Sequence, residues 1–382
     1  MKVLLVHPEG YLNYNANLHG LVEMLGEAGH EVTYLAPRRP AIDQTSESAF
    51  VKMMLIDRLP VRGRFVFPDA DGPTAEALSR WEDYDLVLGV DRGIVEGARI
   101  ARRASIPHAL LSYEIFFQEE TAPELKTPEI EACSDLAFAV SQDALRARKL
   151  CLANRIPPEK ILQIPVAGRG FQARGPKPRL LHRLFHLPDR VKTAVYAGSL
   201  ADWTGAAFLL ASTRDWPDDW MLVIHERFGP TASNLDLIRE HAHPDRVVVS
   251  EVKLANPAEM SEFIQSADLG VALYRPTYAT EWVGRNIEHI GLSSGKISTY
   301  LQHGVPVATH ELGEISDWIR FYGAGQVFPL DRPFVPSPPG PDSLEACRLL
   351  FERHLDLDRF GGCLLDAVAK ARHFSRSPNA GD

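Results

Sequence analysis

Residues 291–304 read Gly-Leu-Ser-Ser-Gly-Lys-Ile-Ser-Thr-Tyr-Leu-Gln-His-Gly and run directly into Val305-Pro306-Val307-Ala308-Thr309. Ser293, Ser294 and Gly295 precede an apolar stripe of Ile297, Tyr300 and Leu301, the pattern of a loop that opens an amphipathic helix. The first-turn amides of such a helix, with its dipole behind them, make a seat for an anion. Lys296 falls in that turn, where a cation disfavours the bare helix, so its charge suits a phosphate held there. A capped surface helix with a solvated lysine accounts for the same residues equally well. Gly304 ends the helix before a short apolar strand, which puts the loop at the carboxyl edge of an α/β layer, where ligands gather.

The whole chain has room for more than one such layer. Its 382 residues, 45% hydrophobic and 24% charged, make one large or two medium domains. Forty-one Lys and Arg against 50 Asp and Glu give a net charge of -9, the wrong sign for a general nucleic-acid binder. No apolar run approaches the roughly 18 residues of a membrane span, and Met1 to Val6 is too short and too soon charged for a secretory signal. Cys133, Cys151, Cys347 and Cys363 have neither metal nor redox spacing, so reduced thiols in a cytoplasmic protein are expected.

Upstream of the focal stretch the chain alternates strand and helix patterns. Val3 to Val6 is a continuous β-type run closed by His7-Pro8-Glu9-Gly10, a helical pattern follows through Leu25, and Glu31 to Leu35 is a second strand. Gly10 alone cannot make the three-glycine dinucleotide fingerprint, which argues against an NAD-type site. Asn13, Asn15 and Asn17 suit sugar hydroxyls or simple helix capping. Further strands are expected at 85–90, 107–111 and 136–140, so Glu9, Asp91, Glu114 and Asp143 fall along one sheet edge as a candidate site, Asp143 reading also as a cap. From Val166 to about Val191 the pattern lapses into a Gly, Pro and Arg-rich stretch that reads as a linker, 171–191, between domains at 1–170 and 192–345. Its continuation Leu180-Leu181-His182-Arg183-Leu184-Phe185 suits either peripheral contact with an anionic membrane or packing of a solvated linker. The rhythm then restarts with strands at 193–197, 220–225, 247–249, 268–274, 306–309 and 325–328, followed by helices at 346–374 and a tail, 375–382, expected to be disordered. Two α/β sheets facing each other across a cleft are expected.

The runs Ser266 to Leu273, Ser294 to Leu301 and Gly304 to Ala308, with Gly313-Glu314-Ile315, resemble the donor half of retaining glycosyltransferases of family four. Gly29-His30-Glu31-Val32 and Glu159 to Pro165 support the resemblance, which covers most of the chain and is strongest over 266–328. It implies a GT-B fold of two Rossmann-like domains, a nucleoside diphosphate sugar held by the second, an acceptor held by the first, and neither metal nor cofactor. In such a site Ser293, Ser294, Gly295 and Lys296 would neutralise the diphosphate, above a glycine turn at Gly198 and Ser199. The family's arginine after that turn and lysine five residues on are replaced by Ser199 and Thr204, and its glutamate pair by Gly291 and Thr299. Thr299 can offer one hydroxyl to a ribose but cannot accept two hydrogen bonds as a carboxylate does.

The reading is therefore a hexosyltransferase that moves a sugar from a nucleoside diphosphate, UDP ahead of GDP, to a hydroxyl acceptor with retention. Glu114 and Asp91 are the candidate catalytic residues of the first domain, with Glu9, Gly10, Asn15 and Tyr113 on the acceptor wall. The candidate donor set is Gly198, Ser199, Arg275, Glu288, Ser293, Ser294, Gly295, Lys296 and Thr299, Glu288 reading equally as an exposed loop acid. The missing basic and acidic pairs leave two other readings: a non-catalytic nucleotide-sugar binder serving as partner subunit or sensor, and a hydrolase or epimerase.

Overall fold

The computed structural model describes residues 1–10, 12, 15–38, 48–56, 81–226, 229–254 and 257–374. Asn13 and the expected disordered tail lie outside them. By its contacts the chain divides into two compact units, Met1–Val166 with Leu357–Asp382, and Ala167–Asp356.

The first unit is built on seven parallel strands in the order β3-β2-β1-β4-β5-β6-β7. They are β1 (Lys2–Val6), β2 (Glu31–Pro37), β3 (Val51–Ile56), β4 (Leu86–Val90), β5 (His108–Leu111), β6 (Ala139–Ser141) and β7 (Ile161–Gln163). Helices cover both faces of such a sheet, so its central strands are apolar throughout rather than alternating. Val3 to Val6 and Leu86 to Val90 are accordingly buried along their whole length. Parallel register sets Leu5 against both Tyr34 and Leu88. Two strands, β3 and β7, were not expected. The first is a short, half-buried edge strand, and the second is three residues long between prolines at 157–158 and 165, too little pattern to read.

The second unit holds six parallel strands in the order β10-β9-β8-β11-β12-β13. These are β8 (Lys192–Ala197), β9 (Trp220–His225), β10 (Val247–Val249), β11 (Leu269–Ala272), β12 (Val307–Thr309) and β13 (Gly325–Val327). The strand expected over 136–140 begins only at Ala139, and that over 268–274 ends at Ala272.

Two boundaries differ from expectation. The stretch 171–191 belongs to the second unit: Leu181 of the short helix Leu180–Leu184 is fully buried, and Phe171, Leu180, Leu184 and Phe185 pack on the same core. Three of its five Lys and Arg are paired within the unit, Lys177 with Asp268, Arg179 with Asp189 at 2.8 Å and Arg183 with Glu262 at 2.9 Å. Of the two readings of these leucines, membrane contact or packing, they pack on their own domain. The C-terminal helices are also shared out rather than forming one block. Ser343–Leu350 stays with the second unit, whereas Leu357 and the helix Gly361–Phe374 return to the first, where Leu364, Val368 and Ala371 enter its core.

Candidate functional site

The focal stretch folds as its pattern predicts. Ser294 caps the helix Gly295–Gln302, its hydroxyl accepting the Ile297 N–H at 3.3 Å. Tyr300 anchors that helix to the sheet. Its hydroxyl accepts the Ala197 N–H at 2.9 Å, and its ring lies over β11 at Gly270, where an added Cβ would stand 2.3 Å from the ring. The anchoring brings the first turn of the helix over the end of β8, where Gly198 adopts φ +134°, a conformation closed to other residues. Lys296 reaches across this turn: a Cβ on Gly198 would lie 2.5 Å from its Cε.

The ammonium of Lys296 donates to the Tyr196 hydroxyl at 2.8 Å and lies 4.0 Å from the centre of that ring. Tyr196 in turn donates to the Ser199 carbonyl at 2.8 Å. Burial pushes the Tyr196 pKa above its ordinary value, so the group beneath the lysine is a neutral phenol and the positive charge is not cancelled by a phenolate. Beside it Tyr274 and Ser294 share a hydrogen bond of 2.6 Å, and Trp203 stacks on Tyr274 at 6.3 Å between ring centres. The His310 Nε2 accepts the Tyr274 N–H at 3.1 Å, and burial lowers the pKa of that imidazole, which keeps the accepting nitrogen unprotonated. A positive charge, a cleared glycine turn and a capped helix start therefore meet at one carboxyl edge, an arrangement chemically suited to an anion such as a diphosphate.

Gly198, Ser199, Ser294, Gly295 and Lys296 are the expected donor residues that this geometry brings together, and Ser293 closes the preceding turn, Gly291–Ser293. Thr299 is half-buried one turn along from Lys296. Glu288 is exposed and accepts a hydrogen bond from the Tyr278 hydroxyl at 3.1 Å, away from the cluster's hydrogen bonds. Arg275 is also exposed, and its N–H donates to the Trp203 carbonyl at 2.7 Å. Thr204, fully buried, donates to the Ala201 carbonyl at 2.7 Å and accepts its N–H at 3.2 Å, so it closes a turn. Sequence reasoning missed Tyr196, Tyr274 and His310. Their signal was available in principle, an aromatic or imidazole side chain at or just beyond the end of three strands, β8, β11 and β12.

At the carboxyl edge of the first unit's sheet Asp91, in a left-handed conformation of φ +49°, accepts the N–H groups of Tyr113 and Glu114 at 2.7 and 2.8 Å. Tyr113 donates its hydroxyl to Asn17 Oδ1 at 2.8 Å, while Arg146, wholly buried, donates to the Tyr113 carbonyl at 2.7 Å and to Gln142 Oε1 at 2.8 Å. Asn15 caps the helix Ala16–Glu27, and Asp143 caps Ala144–Asn154. Glu9 and Gly10 follow β1 on the same edge, half-buried and buried. Asp91 thus shapes the turn that presents half-buried Glu114.

Burial, with repulsion from Glu114, holds the Asp91 pKa well above the ordinary carboxylate range. A carboxylate whose folded pKa is raised costs stability as pH climbs from about 4 towards that pKa. Asn keeps an accepting oxygen, tolerates positive φ and carries no charge. In urea unfolding, Asp91→Asn is therefore expected to gain on the wild type between pH 4 and 8. Asp91→Ala, which leaves two N–H groups unmatched, is expected to lose about 2 kcal/mol or more. Equal stability of the two variants across that range would refute this role.

No protein-family model matches the chain, and no curated protein does. Solved structures do. HepE of Anabaena, in complex with UDP, matches 97% of this chain and 100% of its own at 12% identity and a TM-score of 0.70. A glycosyltransferase from Rickettsia africae matches 97% and 98% at 12% identity and a TM-score of 0.64. Sucrose-phosphate synthase of Thermosynechococcus elongatus matches 98% and 92% at 13% identity and a TM-score of 0.59. The fold is GT-B.

Both parallel sheets keep these polar clusters at their carboxyl edges, where ligands of open α/β sheets gather. Among the described residues no helix is long and apolar enough to cross a membrane, and no group of three or more His, Cys, Asp and Glu is placed to hold a metal ion.

Proposed function

We propose that the protein is a glycosyltransferase that moves a sugar from a nucleoside diphosphate, UDP ahead of GDP, to a hydroxyl acceptor. The observation that carries this reading is Lys296 held over the Gly198 turn at the start of the helix Gly295–Gln302. A cation and helix amides there can take the charge that develops on a leaving diphosphate, the task a metal ion performs elsewhere. The UDP bound to the structurally similar HepE favours that base. Retention and independence of metal extend the same reading, with Glu114 on the first unit's edge steadying positive charge on the sugar or orienting the acceptor. Thr204 favours a second reading, because the residue at the family's lysine position closes a turn instead of offering a cation. On that reading the chain binds a nucleotide sugar as a partner subunit or sensor.

Incubation with UDP-, GDP-, ADP- and TDP-hexoses, with and without hydroxyl acceptors and with a chelator, separates these readings. Acceptor-dependent release of one nucleotide, unaffected by chelator and with the donor's anomeric configuration kept, is expected. Binding without release would point to the sensor, and release that ignores the acceptor to a hydrolase.

A further inference from the structure

Glu226 follows β9 directly and is 8% exposed; among the described residues of the second unit no other Asp, Glu, Lys or Arg is buried. A carboxylate at the carboxyl edge of a parallel sheet is placed where ligands bind. Strand β9 lies beside β8, with His225 opposite Ala197, and the Gly198 N–H donates to the His225 carbonyl at 2.9 Å. Glu226 therefore emerges beside the Gly198 turn that Lys296 crosses. Next to it the buried His225 sets its Nδ1 3.3 Å from the Ser250 hydroxyl, at the end of β10, and its ring 4.9 Å from Phe263.

The strand order changes direction between β8 and β11, and the anion seat lies at that switch. A nucleoside attached to a diphosphate there would carry its ribose past Glu226 by running across β8 towards β9, the strand beside it. A carboxylate accepts one hydroxyl on each oxygen, the complement of a vicinal diol, and charge-assisted bonds of this kind are strong. Thr299 offers a single hydroxyl at the place where the resemblance puts a ribose-binding glutamate. We propose that Glu226 holds the 2′- and 3′-hydroxyls of the donor's ribose. The assignment rests on the donor-site reading above.

Titration calorimetry with UDP and GDP, each against its 2′,3′-dideoxy counterpart, tests it on the wild type, Glu226→Gln and Lys296→Ala. The wild type is expected to prefer the diol form of its nucleotide by roughly tenfold or more. Glu226→Gln is expected to lose that preference while binding the dideoxy form within about twofold of the wild type, whereas Lys296→Ala weakens both forms alike. Equal wild-type affinity for the two forms overturns the assignment, as does a Glu226→Gln variant that keeps the preference or loses both forms equally. If neither nucleotide binds the wild type in any form, the donor-site reading falls with it. Glu226→Asp, which keeps the charge on a shorter arm, serves if Glu226→Gln does not fold. It is expected to cut the preference several-fold, and an unchanged preference overturns the assignment.

Discussion

Lys296→Ala is expected to lower turnover by on the order of 10² to 10³-fold, the usual loss when one preorganised donor to a developing anion is removed. The effect should fall on kcat and kcat/KM together, because the charge on the leaving diphosphate grows towards the transition state. Stability should change little. The ammonium is only partly buried, Ser294 and Tyr300 hold the helix without it, and Tyr196 keeps its bond to the Ser199 carbonyl. Lys296→Arg is not a faithful replacement, since a planar fork cannot sit in the gap between Gly198 and the Tyr196 ring as a compact ammonium does. Steady-state kinetics on the preferred donor check this, and an unchanged kcat would remove Lys296 from the chemistry.

The second large effect lies beneath the site. Gly270→Ala would put a Cβ 2.3 Å from Cγ of Tyr300, and the atom it meets is a fully buried ring with no free end to move. Overpacking of that kind is expected to cost about 3 kcal/mol. The damage should reach the Lys296 cluster, because Tyr300 ties the helix Gly295–Gln302 to β8 through the Ala197 N–H at 2.9 Å. Combining Gly270→Ala with Tyr300→Leu should recover part of the loss, since two substitutions in one contact do not add. Denaturant midpoints decide the matter: a Gly270→Ala protein within about 0.5 kcal/mol of the wild type would show that the ring does not need the bare strand.

Much of this architecture was legible because parallel sheets covered on both faces leave continuous apolar runs. Val3 to Val6, Leu86 to Val90 and Trp220 to His225 are strands for that reason, and the Ser294 cap and Gly304 stop bracket the helix between them. The site was legible only as far as local pattern reaches. Tyr196 and Lys296 are 100 residues apart and meet because β11 lies beside β8 and Tyr300 pins the helix there, facts of strand order rather than of spacing. Asp91 was picked out as an acid on an edge, yet its partners are backbone N–H groups 22 and 23 residues on, which no side-chain pattern announces. The return of Gly361–Phe374 to the first unit was hidden for a related reason: an amphipathic helix states that it needs a core without stating which one. Thr204 was matched to the family's lysine position by analogy alone, and the structure engages it in a turn, while Glu288, read equally as an exposed loop acid, is exposed beside Tyr278.

The central claim is that Lys296 and the first turn of Gly295–Gln302 seat the diphosphate of a nucleotide sugar. Thermal unfolding of the wild type and of Lys296→Ala against UDP, GDP, ADP and TDP tests it most directly. A ligand at 100 times its dissociation constant adds about 2.7 kcal/mol to stability, which raises the midpoint by several degrees. The account predicts such a rise for the wild type with one of these nucleotides, UDP first, and its loss in Lys296→Ala. No rise with any nucleotide, or a rise that the variant keeps in full, would contradict it.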